Sequence, residues 1–440
     1  MNPVSLEAFV EKSNGKRLVI DSRMIKAGDI FVALKGENVD GNEYVNEALT
    51  RGASYALTNK SAEDPRYLTT EDTIEFLKES ARYVLQQSKM QHRIAITGSN
   101  GKTTTKICLA SILSDIGSVY VTEKNYNTEI GVPLSILNNR DKIKSARWGI
   151  FECGTDSPGN IQELVNLIEP DVSVLLNVGT AHLGRFDSRK ELLREKLTIF
   201  SGLKNKDIAV AFSDDSDISS FVEGLACKKF YFGQLSGDQK LVEFYYGNDV
   251  TFGIFENSLG RYLLRFKGIW HRGQLLDFLA ASTALTAMGI EGFELSATNI
   301  ELPFTDRFSF VTKKGITIIN DCYNSSLESV RPAIETIKKI EPRKTIAVVG
   351  SILEQGKHSE NTHALLGKEL EEFDYVLFYT RDKQIEYARK NLSPELASSK
   401  SADIIDWLLD NVYPGTVVYF KASRGIGMEK LVNVFLERIE

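Results

Sequence analysis

Residues 94–105 read Ile94-Ala95-Ile96-Thr97-Gly98-Ser99-Asn100-Gly101-Lys102-Thr103-Thr104-Thr105, an apolar run, a loop with two glycines and a Lys-Thr pair opening a helical stretch. Strand, loop and helix in that order are what a phosphate-binding loop demands. Gly98 and Gly101 let the backbone turn its amide N–H groups toward phosphate oxygens, and the helix adds its positive end. Lys102 would neutralise β/γ-phosphate charge and the Thr103 hydroxyl would ligate Mg²⁺, with Thr97, Ser99, Asn100 and Thr104 completing the nucleotide contacts. The loop is shorter than the common G-x-x-x-x-G-K-T form, because Ile96 stands where the first glycine would be. The competing reading is a Gly-rich turn with an incidental lysine.

Other chemistry-bearing residues have ordinary readings on their own. Glu152 follows the apolar run Trp148-Gly149-Ile150-Phe151, at the strand end where ligands gather in open α/β sheets, but it also suits a cap or surface charge. His182 lies just past Val172-Ser173-Val174-Leu175-Leu176 and could be a plain hydrogen-bonding histidine. Lys196 sits in a helical stretch, 191–200, where most lysines are solvated. Asn125 and Asn127 could be turn residues, and Asp21-Ser22-Arg23 a solvated turn.

The elements that must position these residues fall into three blocks. In the first, residues 1–90, Leu18-Val19-Ile20 and Ile30-Phe31-Val32-Ala33-Leu34 read as short strands around a Gly28-Asp29 turn, and 71–87 has helical apolar spacing. Residues 86–91 read as a linker. In the second, 91–304, short buried strands alternate with helices at 102–116 and 160–168, the pattern of a parallel sheet, and 230–266 looks antiparallel. In the third, 305–440, Ile316-Thr317-Ile318-Ile319, Thr345-Ile346-Ala347-Val348-Val349, Tyr375-Val376-Leu377-Phe378 and Val417-Val418-Tyr419-Phe420 alternate with helices at 327–340, 361–371 and 428–439. The fold class is α/β in three domains: a small mixed α/β unit, a central P-loop ATPase-like sheet and a C-terminal Rossmann-like domain.

Composition narrows the partners. The 440 residues carry a net charge of −6, which offers no general attraction for nucleic acid or anionic membrane. Hydrophobic residues at 42% and charged residues at 25% are ordinary for a globular chain. The four cysteines are scattered without metal spacing, consistent with reduced thiols. With no secretory start and no apolar run of membrane-spanning length, the sequence reads as a soluble, cytoplasmic protein.

The shortened T-G-S-N-G-K-T loop resembles that of the Mur ligase family, the ATP-dependent amide-bond ligases of bacterial cell-wall precursor synthesis. Further motifs carry the resemblance through all three blocks: Asp21-Ser22-Arg23, Asn125-Tyr126-Asn127-Thr128-Glu129-Ile130-Gly131-Val132-Pro133-Leu134, Glu152-Cys153-Gly154, Asn177-Val178-Gly179-Thr180-Ala181-His182-Leu183, and Asp321-Cys322-Tyr323-Asn324-Ser325-Ser326-Leu327-Glu328-Ser329. The resemblance implies that D-alanyl-D-alanine is joined to UDP-N-acetylmuramoyl-tripeptide, with ATP going to ADP and phosphate through an acyl phosphate. It implies two Mg²⁺ ions, with Thr103, Glu152, His182 and Lys196 as ligands and Lys102, His182 and Lys196 as catalytic residues. Lys196, fourteen residues after His182, falls at the position of the family's carbamylated lysine. Gln274, Arg307, Asp321 and Asn324 join the loop in binding ATP, and Ser22, Arg23, Asn125 and Asn127 bind the nucleotide sugar. A monomer is expected.

Departures mark where the resemblance thins. The family's H-N-x-x-N-A-L-A-A segment aligns with Gly273-Gln274 at the H-N pair and Asp277 at the second Asn, leaving His271 two residues early. Asp306-Arg307 replaces G-R, Thr198 replaces a Glu, Ser351 an Asp and Ala422 a Gly. Two alternatives stay open: a related ligase adding a single amino acid, and a non-catalytic nucleotide-sugar-binding paralogue.

Overall fold

A computed structural model describes residues 3–36, 39–123, 125–180, 183–292, 300–379, 383–393, 397–398 and 404–439. Three sheets organise them. The first has four parallel strands in chain order, Leu18–Val19, Ile30–Val32, Tyr55–Thr58 and Tyr67–Thr69. The sequence pattern predicted only the first two, because the others are three or four residues long and show no clear alternation. Helix Thr73–Gln86 covers this sheet. Asp72 caps it by accepting from the amides of Ile74 and Glu75, and Phe76, Leu77, Ala81, Val84 and Leu85 form its buried face.

The central sheet has nine strands. Strand His92–Thr97 lies between Trp148–Glu152 and Val172–Leu175, parallel to both, with Ile96 opposite Glu152 and Thr97 opposite Leu175. Val119–Val121 lies beyond Trp148–Glu152, while Ile208–Phe212 lies on the other side, so the strand order reverses beside His92–Thr97. The crevice at the carboxyl ends of such strands is where α/β sheets bind ligands. The phosphate loop, Glu152 and the segment 176–180 all emerge there.

The antiparallel expectation for 230–266 needs correction at its start. Lys228–Gly233 runs parallel to Ile208–Phe212, and only Gln239–Gly247, Val250–Asn257 and Gly260–Lys267 form an antiparallel meander. Short strands rich in Phe and Tyr look alike in either direction, since both pair through the same alternation. Helix Arg272–Ala287 is buried along most of its length and packs on helix Lys102–Ser114 through small and apolar side chains.

The C-terminal sheet has six strands. Ile316–Asp321, Thr416–Lys421, Lys344–Val349 and Tyr375–Phe378 are parallel neighbours, and Ser309–Lys313 is an antiparallel edge. Asp321 and Lys421 are register partners at the ends of adjacent strands. Helix Leu327–Lys339 leans on the central domain: Tyr246 Oη lies 2.9 Å from Thr336 Oγ1, and the Lys339 ammonium 3.5 Å from the Phe244 ring centre. The N-terminal sheet is tied to the central domain by Asn138, which accepts from Leu18 N at 2.7 Å and donates to Leu18 O at 3.1 Å. Among the described residues no helix is long and apolar enough to cross a membrane.

Candidate active site

Gly101 begins helix Lys102–Ser114 in the left-handed region, at φ 87°. A Cβ there would also lie 1.9 Å from Asp277 Oδ1, so both conformation and space require glycine. Lys102 folds back over the loop and donates to Gly98 O at 2.7 Å and Ser99 O at 3.4 Å. Burial lowers its pKa, Glu152 raises it and Arg307 lowers it further, with a net fall from the ordinary lysine value. Asn177 braces the loop from the next strand: its Oδ1 accepts from Asn100 N at 3.0 Å and its Nδ2 donates to Asn100 O at 3.1 Å. Ser99 Oγ accepts from Gly179 N at 2.9 Å. Thr97 Oγ1 is buried without a hydrogen-bond partner.

An acidic corner stands beside the loop. Glu152 is buried at the end of its strand. Its Oε2 accepts from Thr103 Oγ1 at 3.1 Å and pairs with Lys106 at 3.0 Å, and its Oε1 accepts from Asn127 Nδ2 at 3.1 Å. Burial would raise the carboxyl's pKa, but Lys106 and Lys102, with the bonds from Lys106 and Asn127, bring it below the ordinary value. The result is an ionised carboxylate next to a hydroxyl, a hard oxygen pair suited to Mg²⁺.

A cavity of about 700 Å³ opens between the central and C-terminal domains. Asn100, Gly101, Thr104, Gln274, Arg307, Asp321 and Asn324 line it, so seven of the twelve residues expected to bind ATP come together from more than two hundred positions apart. Thr97, Gly98, Ser99, Lys102 and Thr103 are not among its lining residues. The Arg307 guanidinium lies 3.5 Å from the centre of the Tyr323 ring. Asp321 accepts from Lys421 Nζ at 2.6 Å and Tyr419 Oη at 3.0 Å; burial raises its pKa and Lys421 opposes the rise. Asp277 is pushed up to about 8 by burial, against the pull of Thr104 and Lys102. It is therefore largely protonated near neutral pH, and a neutral carboxyl both donates and accepts, as the amide of an Asn does. His271 and Gln274 form the capping box of helix Arg272–Ala287, and burial depresses the His271 pKa to about 3. The histidine that the sequence left out of register is thus a neutral cap.

Lys196 is 1% exposed at the end of helix Arg189–Leu197. Burial first, then the charge of Lys102, hold its pKa well below the ordinary lysine value. Its neighbour Glu195 is a clamp, accepting from Gly159 N at 2.7 Å and Ile161 N at 2.8 Å at the start of helix Asn160–Ile168. Ser22 is buried in the N-terminal domain, while Arg23 is exposed and paired with Asp21 at 2.7 Å. Asn125 is exposed on the turn that delivers Asn127 to Glu152. His182 lies outside the described residues.

Three family models cover most of the chain: "Mur ligase family, catalytic domain" over residues 16–84, "Mur ligase middle domain" over 96–262 and "Mur ligase, glutamate ligase domain" over 306–424. The crystal structure of MurF ligase from Thermotoga maritima in complex with ADP is similar at a TM-score of 0.88 and 33% identity, covering 96% of this chain and 98% of that one. The chain belongs to the Mur ligase family. The UDP-N-acetylmuramoyl-tripeptide--D-alanyl-D-alanine ligase of Bacillus subtilis is 28% identical over 435 residues, 95% of this chain and 92% of the relative. MurF from Acinetobacter baumannii has a TM-score of 0.88 at 26% identity, with both chains fully covered. Like other Mur ligases, this chain is an ATP-dependent ligase.

Against the Mur ligase pattern, the departures are absorbed locally. Thr198 ends its helix by donating to Glu195 O at 2.6 Å. Ser351 and Ala422 are fully buried where the C-terminal strands end. Sequence reasoning gave no site role to Lys106, Asn177, Tyr323, Glu328 or Lys421, although Asn177, Tyr323 and Glu328 lie within the motifs that carry the resemblance. Lys106 carries a readable signal, since it stands one helical turn from Thr103 and must share the face that meets Glu152. Of the others, Asn177, Tyr323 and Lys421 meet partners within their own domain, and Glu328 depends on which domain surfaces meet.

Proposed function

We propose that this chain joins D-alanyl-D-alanine to UDP-N-acetylmuramoyl-tripeptide, using ATP and an acyl phosphate, in peptidoglycan precursor synthesis. The observation that carries the reading is end-to-end similarity to ligases of that name, together with a cavity in which the phosphate loop meets Arg307, Asp321 and Asn324.

A carboxylate is inert toward an amine until its oxygen is made a leaving group. Transfer of the γ-phosphoryl to it brings anion against anion, so the site must concentrate positive charge. The loop amides and Lys102 receive the β- and γ-phosphates, and Arg307, held against Tyr323, lies across the cavity from them. Asp277 and Gln274 line the cavity as neutral polar groups available to the base. The oxygens of Thr103 and Glu152 fit Mg²⁺, which when bound neutralises phosphate charge. Ser22, Arg23, Asn125 and Asn127 hold the nucleotide sugar.

Lys196 adds CO₂: the neutral amine nitrogen bonds to the carbon of CO₂, one N–H proton leaves, and the neutral amine becomes an anionic carbamate. Burial supports this, because only the neutral amine reacts. The carbamate and His182 would hold a second Mg²⁺. The enzyme works as a cytoplasmic monomer. Purified protein supplied with the tripeptide nucleotide, ATP and Mg²⁺ tests the reading: phosphate release should depend on D-alanyl-D-alanine and ignore single amino acids. Release driven by a single amino acid instead would assign a different ligase of the family.

A further inference from the structure

Thr180 closes the loop that leaves strand Val172–Leu175, and its polar atoms are held by the C-terminal domain. Its amide donates to Glu328 Oε1 at 2.9 Å, its hydroxyl to Glu328 Oε2 at 3.0 Å, and its carbonyl accepts from Gln355 Nε2 at 3.5 Å. Glu328 stands in the first turn of helix Leu327–Lys339, where the helix dipole favours a carboxylate. The approach is close: a Cβ on Gly179 would lie 2.6 Å from the Glu328 carboxyl carbon.

The contact continues into the phosphate loop. Gly179 N donates to Ser99 Oγ, Asn177 brackets Asn100, and Asn100 Nδ2 donates to Ser326 Oγ at 3.1 Å, one residue ahead of the helix that carries Glu328. The far half of the same helix is anchored on the central domain at Tyr246 and Phe244, and Glu335 pairs with Arg272 at 3.2 Å. The helix has 13 residues, about 20 Å at 1.5 Å per residue, so it joins an anchored end to the loop that grips phosphate.

We infer that Glu328 is a positioning residue: by gripping Thr180 it fixes the 177–180 segment, and through it the phosphate loop, only when the C-terminal domain is docked. Docking and loop geometry are thereby one event, and the site is complete only in the docked arrangement. A two-pronged carboxylate contact suits this role, since it is directional and is lost as a unit when the helix withdraws. The inference rests on the ligase reading for its kinetic consequences but not for the contact itself.

The test uses the full-length chain carrying E328Q, E328A, T180V, T180S and the double variant E328Q/T180V. E328Q and T180V should each lower kcat by about tenfold, a coupling of ordinary size, while KM for ATP moves less. The double variant should be little worse than the worse single one, and T180S should retain near-normal kcat. Hydrogen exchange of the Thr180 amide, which needs no turnover, should speed up in E328A at an unchanged Tm. Multiplying losses in the double variant, or an unchanged kcat in E328A, would overturn the inference. So would an unchanged Thr180 exchange rate. A wild-type chain without ligase activity but with faster Thr180 exchange in E328A would instead overturn the ligase reading and leave the contact standing.

Discussion

The cavity between the central and C-terminal domains and the cleft between the N-terminal and central domains are close in size, about 700 and about 630 Å³. They differ in how they are made. The first is lined by residues fixed in motifs, with the phosphate loop on one wall and Arg307, Asp321 and Asn324 on the other. The second is lined by Lys16, Arg17, Arg140 and Lys142, which lie outside the motifs that carry the resemblance, beside Asp21 and Tyr126, which lie within them. Several of its charges are already committed to structure: Arg17 pairs with Asp29 at 2.6 Å, and Arg140 donates to Val10 O at 3.1 Å and to Ser13. Phosphoryl transfer demands a particular backbone turn and a particular lysine. Holding two domains together can be done by any donor that reaches.

The sharpest way to break this contrast is at Lys102. Lys102→Ala should cost about 10²–10³ in kcat, as for other groups that stabilise developing charge, with Tm almost unchanged. A variant that keeps its activity but loses stability would move Lys102 to the structural side. Next in size is Lys196→Ala, which should lose most activity and recover part of it with added short carboxylic acids, which supply the missing oxygens. The ¹³C spectrum of wild-type protein in labelled bicarbonate should show a carbamate resonance that this variant lacks.

Arg140→Ala tests the other side of the comparison. Removing a buried charged donor should cost about 1.5–3 kcal/mol in denaturant unfolding, with kcat of the folded fraction nearly intact. A large kcat loss at full stability would show that the cleft is catalytic.

A further test of the first cavity is a pH dependence at Asp277. Its carboxyl is neutral in folded and unfolded chains below its ordinary value of 3.8, and in the folded protein it stays neutral up to about 8. Between those limits the folded state binds the extra proton, so this group's contribution to stability falls as pH rises. Asp277→Asn removes the dependence. The Tm of the variant relative to wild type should therefore climb from pH 5 to pH 8, and a constant difference would contradict a buried, protonated Asp277.

How much of this was legible before the fold was known follows the same divide. The phosphate loop and its strand were readable, because strand–glycine–lysine order has few other uses, whereas Glu152 was readable as a ligand only through the family resemblance. Asp321 was readable as a motif residue, but its bonds to Lys421 and Tyr419 come from strand register across about a hundred positions. Asp277 looked like a flaw in a motif until its burial against Gly101 and Thr104 made it a neutral acid. His271 looked misaligned until it proved to be a helix cap. Glu328 carries no local signal, since its partner Thr180 is met only when two domains dock.

The central claim is that the cavity between the central and C-terminal domains takes the adenine nucleotide. Crystals grown with ADP and Mg²⁺ decide it. The account predicts diphosphate density against the amides of residues 98–103, with Arg307 and Gln274 on the same ligand. Nucleotide density seated in the cleft beside Arg17 and Arg140, with the 98–103 loop bare, would contradict it.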